Sequence, residues 1–131
     1  MTTVRGSRSG QIAYWITTII VALETGVGGI MDLLRTEHVR EVVTHIGYPI
    51  YLLTILGLWK IPGAIVLLTP RFPRLREWAY AGIFFEMTGA AVSHALFHDT
   101  MYATTTLTFA LLTLASWMLQ PLDRASDVLL T

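Results

Sequence analysis

Charged residues set inside apolar sequence are where this chain could do chemistry. Glu86 stands in the middle of a long apolar helical pattern, REWAYAGIFFEMTGAAVSH, and Glu24 and Lys60 each stand near the centre of an apolar run of their own. An ionised side chain in hydrocarbon or a dry core is strongly disfavoured unless it is paired or protonated. The three are therefore expected to meet at one depth, with two carboxylates competing for one ammonium. That competition leaves a carboxylate able to give or take a proton, the equipment of a general acid or base. His94 adds to the set: Glu86, Ala90 and His94 are spaced i, i+4, i+8 on one helical stripe, and Gly82 and Gly89 leave room beside it for a ligand or another helix. The candidate catalytic residues are thus Glu86, Glu24, Lys60 and His94, and the candidate pocket residues are Trp59, Tyr80, Gly89 and Ser93, with Trp78 a further aromatic. A purely structural reading stands beside this one. In it Lys60 pairs with one glutamate to fix helix register, the other glutamate bonds a threonine or tyrosine, and the aromatics anchor the chain at an interface.

Composition decides what "inside" means. Of 131 residues, 53% are hydrophobic and only 14% charged, well under the roughly 25% charge of a soluble domain. The chain reads as a single-domain membrane protein. Its net charge of zero gives no reason to expect nucleic acid as a partner. With no cysteine there are no disulfides, thiolate nucleophiles or Cys-ligated metals, and the redox compartment stays open. His38 and His45, seven apart, share a helix face but have no third ligand at good spacing, so no metal site is expected. No flavin, haem or iron–sulfur ligation is visible either, and any redox role would need electrons carried by something bound, such as a quinone.

Four apolar segments must position these residues. The first, about 12–34, is too long for a signal-peptide core and is expected to be a retained helix after a disordered polar tail. About 20 residues cross a ~30 Å hydrocarbon core. Gly26, Gly28 and Gly29 in this segment would let a neighbouring helix approach closely, and Tyr14 and Trp15 fall where an interfacial aromatic belt would lie. A short amphipathic segment follows at about 37–47, with Val39, Val42, Val43 and Ile46 on one face. The second span, about 49–69, carries Lys60 just before Pro62, which should kink the helix and free a carbonyl near Lys60, where a pocket would form. The third is about 76–97. The fourth, about 101–119, has no charge for nineteen residues and is the clearest transmembrane pattern; its threonines can bond their own helix backbone and imply no ligand. Short connections then give an all-α, integral membrane four-helix bundle with up-down-up-down topology. Arg5, Arg8, Arg71, Arg74, Arg76 and Arg124 fall on one side against Arg35 and Arg40 on the other, which places both termini in the cytoplasm and the chain in the cell membrane.

The segments HIGYP (45–49), LGLWKIPGA (56–64) and P-x-FPRLREWAYAG…F-x-x-TGA-x-x-SH (70–94), in that order, resemble the DoxX-like family of small four-helix membrane proteins, over about 14–121. Many relatives place a Lys soon after the first-helix glycines, in a G-x-x-K pattern, and this chain has Asp32 there. The resemblance implies the fold strongly and the activity weakly. Better-known relatives include subunits of a thiosulfate:quinone oxidoreductase and membrane parts of oxidative-stress assemblies. Two functions are expected to compete. In one, a mid-membrane polar pocket binds a small lipophilic molecule among the membrane lipids, with isomerase- or hydrolase-like acid/base chemistry or quinone binding. In the other, the chain is a cofactor-free membrane subunit that recruits a redox partner protein.

Overall fold

The computed structural model describes residues 7–69 and 71–121. Among these residues the structure is all α-helix: α1 (Arg8–Leu34), α2 (Glu37–His45), α3 (Tyr51–Leu68), α4 (Pro73–Leu96) and α5 (Thr100–Met118). Most of the expected disordered tail, with Arg5, lies outside the described residues, as do Pro70 and the polar C-terminal stretch with Asp123, Arg124 and Asp127. The part of that tail from Arg8 to Gln11 is helical. Its start is set by Ser7, whose hydroxyl accepts a hydrogen bond from the Gly10 N–H at 3.0 Å and so satisfies one of the donors a helix leaves open at its N-terminus.

The side-chain pattern of α1 is inside-out relative to a soluble protein. Its buried stripe is Tyr14, Thr18, Val21, Ala22, Thr25, Gly29 and Asp32, while Ile12, Ile16, Ile19, Leu23, Val27, Ile30 and Leu34 are exposed. Polar and small groups face the neighbouring helices, and large aliphatic ones face out. α1 and α3 are long and apolar enough to cross a membrane. α5, which promised the clearest span, falls short on that measure because threonines dilute its hydropathy. Yet Thr104, Thr105, Thr106, Thr108 and Thr113 each donate to the carbonyl four residues back, at 2.7–2.8 Å, so these hydroxyls are satisfied within their own helix.

Two helix pairs make up the body of the fold. α1 packs most extensively on α3, and α4 on α5, while α1–α5 and α3–α4 contacts join the pairs. The α1–α3 approach is at backbone range. A Cβ added at Gly57 would lie 2.8 Å from the Gly29 carbonyl oxygen, and one at Gly29 would lie 2.8 Å from the Lys60 Cβ, so glycine is required at both. α3 runs through Pro62 as one element; the carbonyl that the proline leaves without an N–H partner is that of Leu58. The pairs are also tied by hydroxyls. Ser116 Oγ lies 2.6 Å from Thr18 Oγ1 and 2.8 Å from the Tyr80 phenol, all buried, and Thr18 also bonds the Tyr14 carbonyl at 2.6 Å.

Tyr14 does not face outward as a belt aromatic would. It is fully buried, with the Arg76 guanidinium 5.7 Å from its ring centroid, and Arg76 itself is 1% exposed. A cation over an aromatic face is attracted by the ring quadrupole, which offsets part of the cost of burying the guanidinium. The amphipathic helix α2 buries Val43 and leads through Gly47, at φ 87°, into a turn closed by the Tyr48 N–H on the Val43 carbonyl at 3.0 Å. Only glycine adopts that backbone without strain. From this turn the Tyr48 phenol reaches Ser93 Oγ on α4, 2.8 Å away.

Candidate functional site

Lys60 is the hub of a charged cluster drawn from three helices. Its Nζ lies 2.9 Å from Asp32 Oδ2 on α1 and 2.9 Å from Glu86 Oε1 on α4. The side chains of Asp32, Lys60 and Glu86 are 5%, 12% and 23% exposed, so Asp32 is the sealed end of the arrangement and Glu86 the open one. The stem of Lys60 runs against Gly29, the close approach described above, and this backbone contact aims the ammonium along α1 toward Asp32.

Glu24 reaches the edge of the same cluster and makes no ion pair there. A methyl group placed on the half-buried Gly28 would sit 3.7 Å from Lys60 Nζ and 3.8 Å from Glu24 Oε1, so both side chains lie against this glycine. The other carboxylate oxygen of Glu24, Oε2, is buried without a hydrogen-bond donor. Three carboxylates thus surround one ammonium within the body of the helices.

The DoxX-like family model matches residues 16–117. The chain belongs to the DoxX-like family. No curated protein and no solved structure matches it. The match takes in every member of the cluster, and Asp32, standing where the resemblance led one to expect a lysine, serves this DoxX-like chain as the counter-ion of Lys60.

His94 is not part of the cluster. Eight residues separate it from Glu86, about 12 Å along a helix, and it is buried among other groups. Its Nδ1 lies 3.4 Å from Asp99 Oδ2, its ring stacks on Tyr102 at 5.1 Å between centroids, and the Tyr102 hydroxyl lies 3.5 Å from His38 Nε2. His45 meets Phe97, with ring centroids 6.2 Å apart. The two α2 histidines therefore dock that short helix on the ends of α4 and α5, and among the described residues no group of three or more acidic or histidine side chains is placed to hold a metal ion.

The candidate pocket residues of this DoxX-like chain are dispersed. Trp59 is 75% exposed on the outer surface. Tyr80 is buried and forms part of a groove of about 240 Å³ between α4 and α5, with Phe84, Phe85, Thr113 and Trp117. One end of this groove is polar: Glu77 accepts from the Trp117 indole at 2.7 Å and from the Gln120 amide at 3.1 Å. Gly89 has open space beside it, and Ser93 donates to the Gly89 carbonyl at 2.9 Å. Trp78 is exposed and borders a second groove with Arg74. Sequence reasoning passed over Asp32, Asp99 and Tyr102. For Asp32 a signal existed: Thr18, Thr25 and Asp32 are spaced seven apart, which keeps one polar stripe in register along α1.

Proposed function

We propose that this DoxX-like protein is an integral protein of the cell membrane, its four long helices running up-down-up-down, whose Lys60 cluster binds a small lipophilic molecule and exchanges a proton with it. The single observation that carries this reading is the ammonium of Lys60 clamped between Asp32 and Glu86 with Glu24 beside it. If all four groups were ionised the cluster would hold a surplus of two negative charges, and each charge left in hydrocarbon costs about 2.5–3.5 kcal/mol on the insertion scale. Sharing protons among the carboxylates removes that surplus, and a shared proton next to Glu86, the more exposed of the two acids paired with Lys60, is available for acid/base chemistry of the isomerase or hydrolase kind. The exposed aliphatic face of α1 and the self-satisfied threonines of α5 support membrane insertion of the helices.

Ligand identification on protein purified in mild detergent tests the pocket. Native mass spectrometry is expected to retain a small lipophile, a quinone among the candidates, on the wild-type protein and to lose it from Lys60→Met. If instead the protein carries no small molecule and co-purifies stoichiometrically with a quinone-linked oxidoreductase polypeptide, it is an accessory subunit of that assembly. Topology has its own test. Arg8, Arg71, Arg74 and Arg76 lie at one end of the helices and Arg35 and Arg40 at the other, so reporters fused at Met1 and Thr131 are expected to read cytoplasmic; an extracytoplasmic signal from either terminus refutes the arrangement.

A further inference from the structure

Two grooves on the outer surface meet at Glu77, and together they match the polarity of a phospholipid. One, of about 240 Å³, runs between α4 and α5 past Tyr80, Phe84, Phe85 and Trp117. The other, of about 220 Å³, is bordered by Arg74, Leu75 and Trp78, and Glu77 lines both. Glu77 is the fifth residue of α4, while Trp117 and Gln120 stand at the end of α5 and just past it. The carboxylate therefore lies where two helices end, at head-group depth, and the exposed indoles of Trp78 and Trp117 belong at that depth too. From Glu77 to Phe85 the first groove follows α4 inward for about 12 Å, at 1.5 Å per residue, so its far end is at the depth of acyl chains. Glu77 accepts from the Trp117 indole on one oxygen and from the Gln120 amide on the other. Both donors are neutral, and a carboxylate has about four lone-pair sites, so each oxygen can still accept from a cation. The exposed Arg74 puts a positive charge on the neighbouring groove.

An occupant of both grooves needs an apolar chain, an anion for Arg74 and a cation that donates to Glu77. A fatty acid brings only an anion to the acidic end of the groove. A phosphoglycerol lipid has the phosphate and no cation. A phosphocholine lipid has both charges, but its ammonium carries no N–H. A phosphoethanolamine lipid offers the phosphate, to which an arginine bonds well, and a primary ammonium with three donors, as on lysine. We propose that the paired grooves around Glu77 form a phospholipid site selective for a primary-ammonium head group, with the ammonium on Glu77, the phosphate on Arg74 and one acyl chain along Phe84 and Phe85. The proposal rests on the membrane insertion proposed above and is independent of the Lys60 cluster.

Native mass spectrometry tests it on the delipidated full chain in mild detergent, given an equimolar mixture of phosphoethanolamine, phosphocholine and phosphoglycerol lipids with identical acyl chains. The wild-type protein is expected to retain the phosphoethanolamine lipid about tenfold over either of the others, the discrimination that one hydrogen bond to a charged acceptor produces. The N,N-dimethyl lipid keeps one N–H and should be retained nearly as well, so that the fall comes with the third methyl; an even decline with each methyl is a size effect and overturns the bond to Glu77. Glu77→Gln removes the charge while keeping an oxygen for the Trp117 indole, and it should lose the preference. Arg74→Gln should weaken retention of all three lipids, which share the phosphate, and leave the preference standing. Equal retention by the wild type, or full preference in Glu77→Gln, overturns the site. Carbonate washing of membranes holding the wild-type protein separates the two readings. A protein that stays in the washed membrane but shows no preference sinks the lipid site alone, whereas one released by carbonate sinks the insertion on which the site rests.

Discussion

Lys60→Met is expected to lower the stability of the detergent-solubilised protein by about 3–5 kcal/mol, the range for removing one partner of a buried ion pair. The loss is large because the substitution strands both Asp32 and Glu86, each 2.9 Å from the ammonium. The informative measurement is a set of double-mutant cycles read by thermal unfolding. Adding Asp32→Leu or Glu86→Leu to Lys60→Met should recover part of the loss, with coupling of about 1–3 kcal/mol in each cycle. Glu24→Leu should couple more weakly, because Glu24 lies near Lys60 beside Gly28 but makes no ion pair with it. Additivity in both the Asp32 and Glu86 cycles would mean that the three residues share no site.

The second large effect concerns turnover. Glu86→Gln keeps the size of a carboxylic acid and its capacity to hydrogen-bond Lys60, but it cannot ionise. Once a ligand is in hand, this variant should fold, should bind that ligand within about threefold of wild type, and should lose about two orders of magnitude or more in kcat, the usual contribution of a positioned acid or base. A variant that retains wild-type kcat removes Glu86 from the chemistry and leaves it as a register-fixing partner for Lys60. Loss of binding without loss of kcat would place it in recognition alone.

The all-α class and the DoxX-like family were legible from the chain, because apolar periodicity and ordered motifs are properties of sequence alone. So was the expectation that Lys60 and Glu86 need each other, since an isolated charge in an apolar run has few ways to be satisfied. Asp32 was harder. It stands two residues before the end of α1, and the sequence marked it only as the residue that replaces a lysine common among relatives. Only the close crossing at Gly29 and Gly57, which lays the stem of Lys60 along α1, shows that an ammonium from the middle of α3 reaches it. The burial of Tyr14 was hidden for a related reason. An aromatic early in a span commonly sits at an interface, and nothing local announces that Arg76, more than sixty residues on, will cover its ring. His94 shares a stripe with Glu86, but periodicity fixes the angle around a helix and leaves open what each turn meets. Two turns on, the neighbours are Asp99 and Tyr102.

The buried hydroxyls that join α1 to α4 and α5 have a direction. A hydroxyl carries one proton, and Thr18 commits its own to the Tyr14 carbonyl. Toward Ser116 it can only accept, so Ser116 is the donor of that 2.6 Å contact. Ser116 then has no proton left for Tyr80 and must accept from the phenol. The order is Tyr80 to Ser116 to Thr18 to backbone, and it runs one way. The same logic holds at the far end of α4, where Ser93 gives its proton to the Gly89 carbonyl and so must accept from Tyr48. Each of these seams is wired from a tyrosine, through a serine and in the first case also a threonine, to a carbonyl that already belongs to a helix. A phenol can only be the source in such a circuit, and the polarity of one bond is inherited by the next.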